Sequence, residues 1–160
     1  MGYSLTIGEL KVRYDQDNDC PEIALTAKGF SHDEAPAFGE ISDYTSSRYP
    51  SYSTWSNFSM SVGLFSLFYG KDSNARGELI RDDALLIKHP GCVPLTERHR
   101  KEVNEALANF KKVYPNAIAT YGRPAKENPV ENGWLCRLVW LHYWVNWALD
   151  NCNQPVFANS

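Results

Sequence analysis

The segment WLHYWVNWALDN, residues 140–151, decides how this chain is interpreted. As an α-helix with 3.6 residues per turn, it places three tryptophans on one face: Trp140, Trp144 and Trp147. Another face carries polar residues spaced four apart: His142, Asn146 and Asp150. Leucines and valines flank this polar line closely, so the helix is apolar on nearly every side. That pattern is typical of a buried helix.

The polar line has two interpretations. An unsatisfied buried polar group costs about 1–3 kcal/mol, so His142, Asn146 and Asp150 need partners. They either bond to neighbouring groups and fix the docking of the helix, or they line a ligand pocket in which His142 is a base oriented by Asp150. Buried polar groups usually bond within the protein, which favours the structural interpretation.

The tryptophan face is interpreted as core, because large rings dominate protein interiors. Rings of this kind also anchor protein interfaces. The face of Trp140, Trp144 and Trp147 is therefore the place where we expect a homo-oligomer contact, if the chain forms one.

Outward from this segment, the helical pattern extends over Glu131–Asn151. A second helix is predicted over 97–114, with Thr96 as N-cap, Pro115 as its end and an apolar stripe that includes His99. Residues 54–69 fit both a helix and a strand, and Gly70 after the segment favours the helix, with Ser53 as its N-cap.

Strand patterns occur mainly in the first part of the chain. Residues 3–14 alternate in polarity with a change of phase near Gly8, and a second candidate follows at 22–30, which predicts an N-terminal hairpin. Short strands are also predicted at 84–88 and 117–121. The expected fold is α+β: a small antiparallel sheet with two or three helices packed on one face and the C-terminal helix buried.

Length and composition bound the class of protein. The 160 residues are predicted to form a single domain, 1–160, with 43% hydrophobic and 22% charged residues. The net charge of −3 and the scattered basic residues argue against binding of duplex nucleic acid. The most apolar segment, 134–149, is shorter than the roughly 20 residues of a membrane span. With no paired cysteine motif, we expect a cytoplasmic protein with reduced thiols.

Two clusters resemble metal sites but lack parts of them. The run 15–19 has the alternating aspartates of a calcium loop, but Cys20 stands where that loop requires glycine. His89, Cys92 and His99 supply one close pair of ligands, whereas structural zinc sites usually have two. We therefore expect neither a metal nor a cofactor.

The segment DYTSSRYPSYSTW, 43–55, is the strongest candidate for a recognition surface. It mixes hydroxyl side chains with four rings and one cation: Tyr44, Tyr49, Tyr52, Trp55 and Arg48. Rigid rings give contact area at low entropic cost while hydroxyls adapt, a composition found in many binding loops. The alternative is an irregular loop whose rings pack onto the sheet.

The sequence contains no phosphate-binding glycine loop and no hydrolase motif. We therefore expect a non-enzymatic binding protein, such as an inhibitor or accessory factor, that docks on a protein partner through 43–55. The first alternative is a protein that binds or sequesters a nucleotide-like small molecule, since a base could stack on the rings while Arg48 meets a phosphate. The second is a small enzyme that uses His142 and Asp150.

Overall fold

The computed structural model describes residues 5–14, 21–26, 52–70, 84, 91–119 and 129–159. Four strands and four helices lie in these ranges. They are β1 (Leu5–Tyr14), β2 (Pro21–Thr26), α1 (Tyr52–Val62), α2 (Phe65–Tyr69), β3 (Gly91–Pro94), α3 (Glu97–Val113), α4 (Pro129–Asn151) and β4 (Pro155–Asn159). The predicted α+β class is confirmed.

The strands form one antiparallel sheet in the order β2-β1-β4-β3. The predicted N-terminal hairpin is present, with Val12 opposite Ile23. β1 pairs with β4 through residues 5–9 and with β2 through residues 9–14, so the change of phase near Gly8 coincides with a change of partner. The first and last strands of the chain are therefore neighbours.

Two hydrogen bonds hold the turn before β4 against β1. The carboxylate of Glu9 accepts the backbone N–H groups of Asn153 at 3.1 Å and Gln154 at 2.7 Å. This contact satisfies donors that lie between the end of α4 and the start of β4. It fixes the point at which the chain leaves the helix and enters the sheet.

The predicted helix over 54–69 is divided into two. The break lies at Gly63, which has a φ of 77°, a left-handed conformation that glycine adopts without steric cost. α1 begins at Tyr52, so Ser53 is a helical residue rather than the N-cap. Gly70 ends α2 in the left-handed conformation and donates its N–H to the carbonyl of Ser66, as the sequence predicts for this position.

α3 begins as predicted after Thr96 and ends at Val113, before Pro115. The backbone N–H of Thr96 donates to Nδ1 of His99 at 2.9 Å, which is one half of a capping box. The imidazole is fully buried and packs edge-on against Phe157, with 5.3 Å between ring centroids. His99 thus has a structural role at the start of α3.

α4 lies against α3, β1 and β4 and supplies much of the core. Trp140 is 1% exposed and Trp144 is completely buried, while Trp147 is half-buried and packs against Trp144 at 5.3 Å. The two most buried rings face the interior of their own chain. These two rings therefore belong to the core, and a homo-oligomer contact through the partly exposed Trp147 stays a prediction.

The two remaining strand predictions have different outcomes. Residues 117–119 are described and are not part of a strand. Of 84–88, only Ala84 lies within the described residues, and it is buried. In the described ranges, none of the helices has both the length and the apolar character needed to cross a bilayer.

Candidate functional site

The polar line of α4 meets α3 at a cluster of side chains that we call the polar clasp: Arg100, Asn104, Asn146 and Asp150. Arg100 donates from Nη1 to Oδ1 of Asn146 at 3.1 Å and from Nη2 to Oδ1 of Asp150 at 2.8 Å. The Nδ2 of Asn146 donates to Oδ1 of Asn104 at 3.0 Å and to the backbone carbonyl of His142 at 2.6 Å. The amide of Asn146 therefore bonds to both helices.

The guanidinium of Arg100 is the central charge of the clasp. Its pKa is raised by the hydrogen bond to Asp150 and further by Glu97, whose carboxylate lies 2.9 Å from Nε, while burial opposes the shift. The Asp150 and Glu97 side chains are mostly exposed, so each ion pair contributes about 0.2–1 kcal/mol. The clasp connects residues of α3 and α4 that lie 42 to 50 positions apart in sequence, and it gives Asn146 and Asp150 a structural role.

His142 and Asp150 are not brought together as an acid–base pair. They lie eight residues apart on one helix, which separates them by about 12 Å along its axis. The carboxylate of Asp150 is bonded to Arg100. His142 is half-buried, and burial followed by the charge of Lys111 lowers its pKa. The imidazole is therefore held toward its neutral form without orientation by Asp150.

The structure describes only part of the recognition segment predicted at 43–55. Tyr44, Arg48 and Tyr49 lie outside the described residues. Tyr52 begins α1, and its side chain is likewise outside the description. Trp55, which the sequence assigns to the recognition surface, is only 6% exposed.

Trp55 is a core residue because it lies inside α1 rather than in a loop. Its ring packs at 4.8 Å from Phe58 and 5.1 Å from Phe68, between centroids. The helical spacing of Trp55, Phe58 and Val62 was visible in the sequence, and it explains the burial. Trp55 thus provides no surface for a partner.

A second candidate site lies where α3 ends and α4 begins. We call it the apolar corner: Val113, Ile118 and Val130, with the cleft that Val113 lines. Val113 is 67%, Ile118 57% and Val130 53% exposed. The cleft has a volume of about 180 Å³ and is lined by Val113, Tyr114, Pro115, Asn116, Ala117 and Glu131. Ile118 and Val130 are chain neighbours of Ala117 and Glu131.

Asn132 holds the two sides of this corner together. Its side chain is 2% exposed, and Oδ1 accepts the backbone N–H of Ile118 at 2.8 Å. This bond ties the segment after α3 to the first turns of α4. A part-buried hydrogen bond thus helps to fix the geometry of the corner, although its apolar side chains face solvent.

The sequence gives an ambiguous signal for this corner. The apolar stripe of α3 continues equally well through Val113 or Tyr114. In the structure, Tyr114 is the half-buried residue, with its ring 4.8 Å from that of Phe110, and Val113 points outward. The sequence sign of an exposed corner was a valine that did not fit the apolar stripe of α3. It could be interpreted only once the position of the helix end was known.

Another cavity lies inside the core between α3, α4 and the sheet. It has a volume of about 10 Å³ and is bordered by apolar residues and His99. That volume is at the lower limit for one water molecule. It is a packing gap rather than a ligand site.

Comparison of the chain with protein-family models, curated proteins and solved structures finds no match. Within the described residues, His, Cys, Asp and Glu side chains form no group of three that could hold a metal ion. The two candidate sites are therefore judged by their own geometry. The polar side chains of the clasp bond to one another, whereas the apolar side chains of the corner are exposed to solvent.

Proposed function

We propose that this chain is a non-enzymatic binding protein, an inhibitor or accessory factor that docks on a protein partner. The observation that supports the proposal is the apolar corner. Four large hydrophobic residues are exposed among those described, and three of them, Val113, Ile118 and Val130, belong to the corner. Clustered exposed apolar groups mark interaction sites, whereas singly scattered ones need no explanation.

The corner fits the anatomy of a small docking surface. Exposed apolar side chains lie beside a cleft of mixed polarity that a protein side chain could enter, and Asn132 accepts a hydrogen bond from the backbone of Ile118. A rigid surface loses little conformational entropy on binding, which favours affinity. The segment 43–55 stays part of the proposal as a second contact region, through Tyr44, Arg48, Tyr49 and Tyr52.

The alternative functions have less support. A cleft of about 180 Å³ is small beside the roughly 300–1,000 Å³ of typical small-molecule pockets, which disfavours a nucleotide-like ligand there. An enzyme based on His142 and Asp150 needs those side chains within reach of each other, and Arg100 holds Asp150 instead. We also propose that the protein is cytoplasmic, because its sequence has no paired cysteine motif.

The test is affinity capture from native lysate, quantified by mass spectrometry, with paired surface variants. Val113→Ser with Val130→Ser removes exposed apolar groups, so we expect the captured partner to fall several-fold. Met60→Ser is the matched control, because Met60 is 56% exposed but lies on α1. Equal capture by the wild type, the corner variant and the Met60→Ser control would reject the corner as the docking surface.

The segment 43–55 is tested separately with Arg48→Ala and Tyr52→Ala. Loss of the same partner in this variant would show that both regions contact it. Unchanged capture here, together with loss in the corner variant, would restrict the interface to the corner. If both variants capture as the wild type does, the proposed docking function is wrong.

A further inference from the structure

Among the described residues beside the apolar corner, basic side chains outnumber acidic ones. Lys111 and Lys112 are exposed in the last turn of α3 and directly precede Val113. Within the described part of the chain, neither lysine forms an ion pair. Among the described residues that line the cleft, Glu131 is the one acidic residue. The described corner therefore has a net charge of +1.

From this arrangement, and resting on the proposed function, we propose that the corner binds a protein segment in which carboxylates flank apolar side chains. The apolar groups of such a segment cover Val113, Ile118 and Val130. Its carboxylates lie at the rim, near Lys111 and Lys112, where water still solvates both partners. Rim charges of opposite sign accelerate association and exclude partners of the wrong sign.

A second copy of this chain fits the corner less well. A two-fold contact brings the same patch of both copies together. Both patches would then carry the same net charge of +1, and like charges across an interface are unfavourable. The occupant that the charges favour is a different, acidic segment.

The experiment uses the full chain and three synthetic peptides of equal length. All alternate leucine with one other residue, which is glutamate in the first, glutamine in the second and lysine in the third. Fluorescence anisotropy at low salt should show the glutamate peptide binding about tenfold more tightly than the lysine peptide, with the glutamine peptide between them.

Charge reversal tests whether the corner causes this order. Lys112→Glu should reduce the preference for the glutamate peptide by about three- to tenfold, while Lys101→Glu, exposed elsewhere on α3, should not. Circular dichroism confirms that each variant is folded. An unchanged preference in Lys112→Glu, or no binding of any peptide, would overturn the inference.

The outcomes also separate this inference from the proposed function. Equal binding of the three peptides that is lost in Val113→Ser with Val130→Ser would overturn the charge preference and leave an apolar docking surface. Vesicles of phosphatidylserine and phosphatidylcholine test the lipid alternative. Vesicle binding that Val113→Ser with Val130→Ser abolishes, without any peptide preference, would replace the acidic segment with a membrane surface.

Discussion

The two ends of the α3–α4 pair use their side chains in opposite ways. At one end, Arg100 of α3 bonds to Asn146 and Asp150 of α4, so polar groups satisfy one another within the chain. At the other end, Val113 and Val130 face solvent, although a part-buried hydrogen bond from Ile118 to Asn132 joins the segment after α3 to α4. One end stabilises the fold, and the other offers a rigid apolar surface.

The difference shows why residue type alone does not locate a site. Histidine, asparagine and aspartate on one helix face suggest chemistry, yet here Asn146 and Asp150 bond to the neighbouring helix. Valine and isoleucine suggest core, yet three of them are exposed at the corner. The surroundings of each group decide between structural and functional roles.

The largest effect is expected for the core that lies between these two ends. Trp144→Ala should lower the free energy of unfolding by about 3–5 kcal/mol, because the side chain is completely buried and its removal leaves a cavity. Urea unfolding measures this change. Trp147→Ala is the comparison, and its half-buried ring should cost less. An equal loss for both variants would contradict the assignment of Trp144 to the core.

The next effect concerns the polar clasp. Arg100→Ala removes the bonds to Asn146 and Asp150 and should cost about 1–2 kcal/mol. Arg98→Ala is the matched control, because Arg98 is exposed on the same helix and should change stability by less than about 0.5 kcal/mol.

A double-mutant cycle with Asn146→Ala sharpens this prediction. Residues in contact show a coupling energy of about 0.5–3 kcal/mol, whereas independent residues add. Additivity of Arg100→Ala and Asn146→Ala would mean that the clasp does not connect the helices. The measurement is again urea unfolding of the two single variants and the double variant.

Much of the helical structure was predictable from the sequence. Thr96 and Pro115 correctly bounded α3, and the periodic apolar pattern located α4. The break at Gly63 was not predicted because a glycine inside a helical pattern can be tolerated. β3 and β4 were missed because they are only four and five residues long, so alternation gives little signal.

The candidate sites were less predictable, since both depend on contacts between distant parts of the chain. The partner of Asp150 is Arg100, fifty residues earlier, and spacing along α4 cannot reveal it. Trp55 was assigned to a binding surface by the composition of its neighbours, but its position within α1 directs the ring into the core. Whether Arg48 and Tyr52 contact a partner stays a prediction.

A smaller effect should appear in the pH dependence of stability. Burial and Lys111 lower the pKa of His142 in the folded state, so the unfolded chain binds this proton at higher pH than the folded one. The free energy of unfolding then rises with pH between the pKa of His142 in the folded chain and its pKa in the unfolded chain. As the pH falls below about 6.5, the protein loses stability because the unfolded chain takes up this proton first.

His142→Gln isolates this contribution from the other histidines. Between about pH 7.5 and about pH 5.5, the wild type should lose more stability than His142→Gln does. Urea unfolding at both pH values gives the comparison. If the variant loses as much stability as the wild type, His142 is not held toward its neutral form.

The most direct test measures stability and partner capture together for one variant at each end of the α3–α4 pair. Val113→Ser with Val130→Ser should reduce capture several-fold and change the free energy of unfolding by less than about 0.5 kcal/mol. Arg100→Ala should lower stability while the protein that is still folded captures the partner normally. If the corner variant captures as well as the wild type, or loses capture only by unfolding, the division between a stabilising end and a binding end is contradicted.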